Sequence, residues 1–315
     1  MKDMCIYSQE ELHRLQHCMY RTILREPRLF DEDTATRCGA SRNTVSKYWR
    51  LGLEKEVFFP PQIRLNMYKN RKEYIYLIQS GSAHKLYYHF QKHPDLVYMS
   101  YTSGKFDILL QTSKLLDASP DGTLFYGSRS NYIYPETPNR SFESALNHME
   151  RLLDHEHSPS KIEVNYPEES PAKGSPYYGW KIFPYIKYDL RTGYTKIVKK
   201  LHIGFDSFHK GLKYLFSIST KLLPYYPLGF RLYSQHFFVI WSDYEKFLCE
   251  FFGCLPCHTS ITKVNNEALV MLVSIQKGED LSERLYRLCF KMIDLGLIDS
   301  FWSSKPVYYW IPDDP

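Results

Sequence analysis

Two hydrophobic periods alternate along the chain. Short runs rich in β-branched and aromatic residues, such as Tyr74–Ser80 and His236–Ser242, read as strands, while Phe142–Leu153 and Leu281–Ile293 carry apolar residues at helical spacing. Sliding the chain on itself by 162 positions lays the second of those strands on the first. The same shift, without a gap, lays Leu86 on Leu248, Phe90 on Phe252, Pro94 on Pro256 and Leu110 on Leu272. Each half then reads strand (74–80 and 236–242), helix (82–92 and 243–252), strand (96–103 and 258–265) and strand (106–112 and 268–275). A second helix and a last extended segment follow, Lys161–Tyr166 in the first half and Phe301–Trp310 in the second. The order βαββαβ predicts a ferredoxin-like module, an antiparallel four-stranded sheet with both helices on one face. Residues 117–139, rich in Ser, Pro, Gly, Asn and Tyr, read as an insertion loop, and Pro167–Pro176 as the linker between halves.

Composition narrows the class without naming a function. With 43% hydrophobic and 24% charged residues in 315, the chain is an ordinary globular protein, and no window approaches a membrane span. The N-terminus has no apolar core, so a cytoplasmic protein is expected. The net charge of +5 hides an alternation: residues 1–72 carry +5, 73–172 carry −5, 173–223 carry +8 and 224–315 carry −3. That pattern divides the chain into modules at 1–72, 73–170, 171–232 and 233–315, two of them suited to a polyanion.

Upstream of the first βαββαβ, Ala35, Gly39 and Val45 have the spacing of a helix-turn-helix. The small Ala35 lets two helices cross, Gly39 suits the positive φ of the turn, and Val45 buries the second helix. Ser41 suits its N-cap. The outward face carries Ser41, Arg42, Asn43, Thr44, Ser46, Lys47 and Arg50, side chains able to meet base edges and phosphates, although such a face is also what any solvated helix presents. Val57–Asn66 reads as a wing, with Arg64 available for a phosphate. A shift of 163 finds a second copy in which Val198, His202 and Phe208 replace Ala35, Gly39 and Val45. There the polar face is lost, and Lys196, Lys199, Lys200, Lys210 and Lys213 suggest nonspecific phosphate contacts or simple packing.

Residues 38–47 of the reading helix, together with Thr102-Ser-Gly-Lys-Phe-Asp-Ile-Leu-Leu110, resemble the Lrp/AsnC (feast/famine) family of transcription regulators. The resemblance implies an α+β fold of tandem winged helix-turn-helix domains, each followed by a ferredoxin-like (RAM-like) domain. It also implies a sequence-specific DNA-binding, non-enzymatic regulator that is partnered by double-stranded DNA, is homo-oligomeric, and uses no cofactor. A small-molecule effector such as an amino acid would sit at Thr102, Gly104, Phe106 and Asp107, a tract that equally suits a simple hairpin turn. The second copy has Asn265-Asn266-Glu267-Ala268-Leu269 instead.

Seven cysteines, an odd number, predict reduced thiols. Cys254-Leu-Pro-Cys257-His258 has the form of a haem-attachment motif. With Cys249 nearby, it also admits a zinc or redox site, and ordinary buried thiols are the plainer reading. The alternative to a regulator is a tetrapyrrole-binding protein, because siroheme decarboxylases resemble the same two-module architecture. Against it, Tyr74–Ser80 has neither His nor Arg.

Overall fold

The computed structural model describes residues 7–68, 71–155, 159–163, 176–278 and 280–312. In chain order the helical module comprises α1 (Gln9–Arg25), α2 (Asp31–Cys38), α3 (Arg42–Glu54) and the wing strand β1 (Gln62–Leu65). Then follow β2 (Tyr74–Ile78), α4 (Ala83–Phe90), β3 (Leu96–Gly104), β4 (Ile108–Thr112), β5 (Thr123–Ser128) and α5 (Phe142–His155). The second copy runs α6 (Pro176–Ile186), α7 (Tyr194–Leu201), α8 (Phe205–Ser217), β6 (Ser219–Leu222), β7 (Tyr233–Trp241), α9 (Glu245–Gly253), β8 (Thr259–Val264), β9 (Ala268–Gln276), α10 (Leu281–Asp294) and β10 (Ser300–Trp310). This is the tandem α+β architecture that the repeat predicts. Among the described residues no helix is long and apolar enough to cross a membrane.

Both helix-turn-helix units form for local reasons. Gly39 takes φ +63° and ends α2, and the Ser41 hydroxyl caps α3 by accepting from Thr44 N–H at 3.1 Å. In the second unit His202 holds the left-handed turn at φ +51°. The two units are tied to one another by a pseudo-twofold pair of arginines. Arg28 donates to the carbonyls of Leu190 and Thr192, and Arg191 donates to the carbonyl of Leu29 at 3.0 Å and to Asp31 at 2.7 Å. Their wings also join, β1 pairing antiparallel with β6 from Gln62 opposite Leu222 to Leu65 opposite Ser219.

The remaining eight strands form one sheet in the order β5-β2-β4-β3-β10-β7-β9-β8. Strand β10 spans the seam, pairing with β7 over its first residues and with β3 over its last. The sheet curls until the residues after β5 reach β8, where Arg129 bridges Val264 and Ile133 bridges Ile261, so the two edges meet. The period-2 alternation sorts the side chains. Ile75, Leu77, Leu109, Phe237, Val239 and Val270 from both halves fill the inside, while Tyr76, Ile78, Ile108 and Leu110 pack outward on α4.

Three features differ from the sequence expectation. The fourth strand of the first module is β5, inside the segment read as an insertion loop, and it pairs with β2 along Tyr74–Ile78. Lys161–Glu163 has no strand, and the rest of that expected strand, with most of the linker, lies outside the described residues. Helix α5 does not cover its own half: Phe142, Leu146, Met149 and Leu153 pack with Phe247 and Leu285 of the second, and Arg284 holds Glu150 at 2.8 Å. Not all thiols are free, either. Helix α1 and the end of α2 bring the Cα atoms of Cys18 and Cys38 to 5.7 Å, and their sulfurs are bonded.

The turn between β3 and β4 locks the halves together. Phe106 N–H donates to the Ser304 hydroxyl at 2.9 Å, and Lys105 N–H donates to the Ser303 carbonyl at 3.0 Å. Gly104 sits at φ +145°, where a Cβ would come within 2.6 Å of that same carbonyl. Gly104→Ala is expected to cost on the order of 3 kcal/mol, since strain and a backbone clash act together. Gly39→Ala, strained but with open space around it, costs only about 1 kcal/mol. Urea midpoints of the two variants check the contrast, and equal shifts would show that the seam yields freely.

Candidate functional site

The paired wings roof a cavity of about 690 Å³ whose floor is one end of the curled sheet. That volume lies within the range of small-molecule and cofactor sites. Helix α6 contributes Phe183 and the turn that follows it Lys187 and Tyr188; the turn after α4 contributes Lys92 and His93; the strands contribute Tyr98, Gln111 and Phe237.

One wall is a ladder of planar groups. The Arg129 guanidinium lies 4.3 Å from the centre of the Tyr132 ring, Tyr132 stacks on Tyr134 at 5.7 Å, and Tyr134 stacks on His258 at 5.5 Å. Its base is a buried ion cluster. Glu73 accepts from Arg129 through Nε at 2.9 Å and Nη2 at 2.6 Å, from Arg71 at 3.0 Å and from Gln111 at 2.6 Å. Burial opposes the Glu73 charge, yet Arg129 and Arg71 together hold its carboxyl below the usual carboxylate range. Tyr132 OH completes the cluster by donating to Gln111 at 3.0 Å.

The roof and rim are cationic. Arg64, on the wing, spends one contact on Gln62 at 3.3 Å and lies over the Tyr188 ring, which Lys187 also covers at 4.5 Å. Arg71 Nε is buried and finds no partner among the described residues. Burial, reinforced by the charge of Arg64, pushes His258 down to about 4, so the imidazole is neutral near pH 7. Burial raises the Tyr134 and Tyr132 phenols, which keep their protons. Such a site can hold a large flat anion, with carboxylates on the cationic rim and a ring system against the aromatic wall.

Of the residues expected to bind DNA or an effector, only Arg64 lines this cavity. Ser41 and Thr44 serve the α3 cap, and Ser46 donates to Asp31. Arg42, Asn43, Lys47 and Arg50 are exposed, with Arg50 beside Glu54 at 3.7 Å. Lys196, Lys199, Lys200 and Lys210 are exposed on α7 and α8. Thr102, Gly104, Phe106 and Asp107 lie in the seam. There the Thr102 hydroxyl donates to the Phe106 carbonyl, and the Asp107 carboxylate accepts from Ser80 N–H at 2.8 Å. Among the described residues no three potential metal ligands cluster. Cys257 is buried and donates to the Ser274 carbonyl at 3.1 Å, and Cys254 donates to the Glu250 carbonyl at 3.4 Å.

Glu73, Arg129, Tyr132, Tyr134, Lys187 and the cavity-facing His258 were not foreseen as a group. The available signal was the alternation in Arg129-Ser-Asn-Tyr-Ile-Tyr134, which places both tyrosines on one side of an extended segment.

No known protein family matches the chain, and no curated protein matches it in sequence. In overall structure it is similar to the siroheme decarboxylase NirDL, with a TM-score of 0.50 and 8% identity over 94% of this chain and 91% of that one. It also aligns with NirDL in complex with an iron-uroporphyrin III analogue, with a TM-score of 0.48 and 8% identity. The expectation of an Lrp/AsnC-type transcription regulator, non-enzymatic and partnered by double-stranded DNA, is corrected here: the same tandem architecture serves an enzyme. The physical reason is that the turn, cap and apolar spacing record the shape of a helix-turn-helix module, not what it touches. In this chain the two wings pair with each other, and Arg64 faces the cavity they enclose.

Proposed function

We propose that the chain binds a polycarboxylate tetrapyrrole in the cavity between the paired wings and the sheet, and acts on it as an enzyme of the decarboxylase class. One observation carries the reading: a single cavity of about 690 Å³ combines a cationic rim of Arg64, Arg71, Lys92 and Lys187 with a stacked wall of Tyr132, Tyr134 and His258. A flat ring bearing carboxylates at its edge complements both surfaces. The likeness to NirDL, a siroheme decarboxylase, supports the choice of ligand class.

The chemistry asks little of the wall. Loss of CO₂ breaks the bond from a side-chain carbon to its carboxylate. The electron pair left behind delocalises into the macrocycle, and the carbon takes up one proton. The protein's part is to grip the remaining carboxylates, exclude water and keep a proton donor close, a place the Tyr134 phenol occupies.

Titration with uroporphyrin and with its methyl ester tests the proposal. The free acid is expected to bind saturably and to weaken with salt, and the ester, lacking charge, at least ten-fold more weakly. Mass spectrometry of bound sirohaem should then show loss of carboxylates as CO₂. Equal binding of acid and ester would overturn the proposal.

A further inference from the structure

The Cys254-Leu-Pro-Cys257-His258 tract plays no part in the cationic rim, yet its imidazole lines the same cavity. The backbone of His258 is pinned on both sides: its N–H donates to the Tyr225 carbonyl at 3.0 Å, and its carbonyl accepts from the Ser274 hydroxyl at 3.1 Å. Its ring stacks on Tyr134 and meets the Tyr226 ring edge-on at 6.3 Å. No hydrogen bond joins either ring nitrogen to a described residue. The charged group that acts on it is Arg64, which disfavours an imidazolium. A neutral, rigidly placed imidazole facing a cavity retains a free lone pair, and a metal ion is the partner that uses it.

Building on the tetrapyrrole reading, we propose that His258 ligates the metal of a metallated macrocycle, with no covalent attachment through the neighbouring cysteines. The cysteines are otherwise engaged: Cys257 is buried against the Ser274 carbonyl, and Cys254 bonds back into its own helix. Burial raises both thiols, which suppresses the thiolate that addition to a vinyl group needs. The repeat makes the ligand one-sided, because the residue 162 positions before His258 is Leu96, which lines the same cavity. His93, the other imidazole on the wall, accepts from Asp95 N–H through Nδ1 at 3.2 Å. The protein therefore discriminates a metallated from a metal-free ring through one side chain.

The test uses the full chain with iron(III) uroporphyrin and metal-free uroporphyrin as probes, read by visible absorbance. The wild type is expected to bind both, with a shift of the main absorbance band for the iron form alone. His258→Ala should abolish that shift, weaken the iron form about ten-fold more than it weakens the metal-free form, and regain the shift when free imidazole is added. A urea midpoint equal to that of the wild type shows that the variant is folded, and His258→Gln, closer in size, serves as a second check. A variant that keeps the wild-type shift, or a shift lost through His93→Ala instead, overturns the ligand assignment while leaving the tetrapyrrole site intact. A wild type that binds neither ring overturns both.

Discussion

Arg64→Ala lowers the affinity for uroporphyrin by about thirty-fold, which corresponds to roughly 2 kcal/mol for one charge-assisted contact. Arg64 is the group for which this loss should be largest. It sits on the wing strand β1, whose register is fixed by pairing with β6, so its guanidinium is presented by a rigid two-stranded roof and not by a loop. Its contact with Gln62 is long, at 3.3 Å, it also hydrogen-bonds the Tyr134 phenol, and the Tyr188 ring lies under its guanidinium. Removing it deletes a donor fork without leaving a buried acid behind, so the fold should be unaffected. Arg64→Lys recovers part of the affinity, because a point charge replaces the planar fork. Replacing exposed Lys196 or Lys199 should change nothing measurable at moderate salt. A thirty-fold loss on those lysines instead would move the anion site to the helical modules.

Glu73→Gln destabilises the protein by about 3 to 5 kcal/mol, because the change leaves Arg129 buried without its counter-charge and Arg71 short of a partner. The glutamate is the hub: four donors from three side chains converge on it, and both it and Arg129 are about 5% exposed. Its folded carboxyl titrates below the unfolded one, so its contribution is complete at neutral pH and is lost as the pH falls through the acid range below the ordinary Glu value. Guanidinium unfolding at pH 7 measures the effect. Pairing Glu73→Gln with Arg129→Met restores much of the stability, since the stranded charge is then gone. A loss under 1 kcal/mol for Glu73→Gln alone would mean that water reaches the cluster.

The repeat was legible because packing forces it. Leu86, Phe90, Leu248 and Phe252 lie on helices that must cover a sheet, so their spacing survives even where the polar residues have diverged. Strand β5 was hidden because Thr123–Ser128 is flanked by Pro, Gly and Asn, and its pairing with β2 is a long-range event that local composition does not report. The displacement of α5 onto the second half was hidden for a related reason. An amphipathic stripe such as Phe142, Leu146 and Met149 says that a face is buried, not against what.

The site was the least legible part. Its members come from β1, the segment after β5, α6 and the start of β8, and they meet only because the wings pair and the sheet closes. Arg64 reads from sequence as a cation available for a phosphate, but the paired wing that carries it faces the cavity. His258 reads in sequence as one unit with its cysteines, although Cys257 is buried against the Ser274 carbonyl while the histidine lines the cavity. The polar face of α3 drew attention because it matches a shape shared by many helix-turn-helix modules, and shape alone does not choose a partner.

In the proposed function, one cavity under the paired wings takes one flat polyanion. Titrating the purified chain with uroporphyrin, in parallel with Arg64→Ala, tests it most directly. Saturation at one macrocycle per chain is expected, with a curve displaced about thirty-fold by the substitution. Binding that does not saturate, or two curves that coincide, would contradict it.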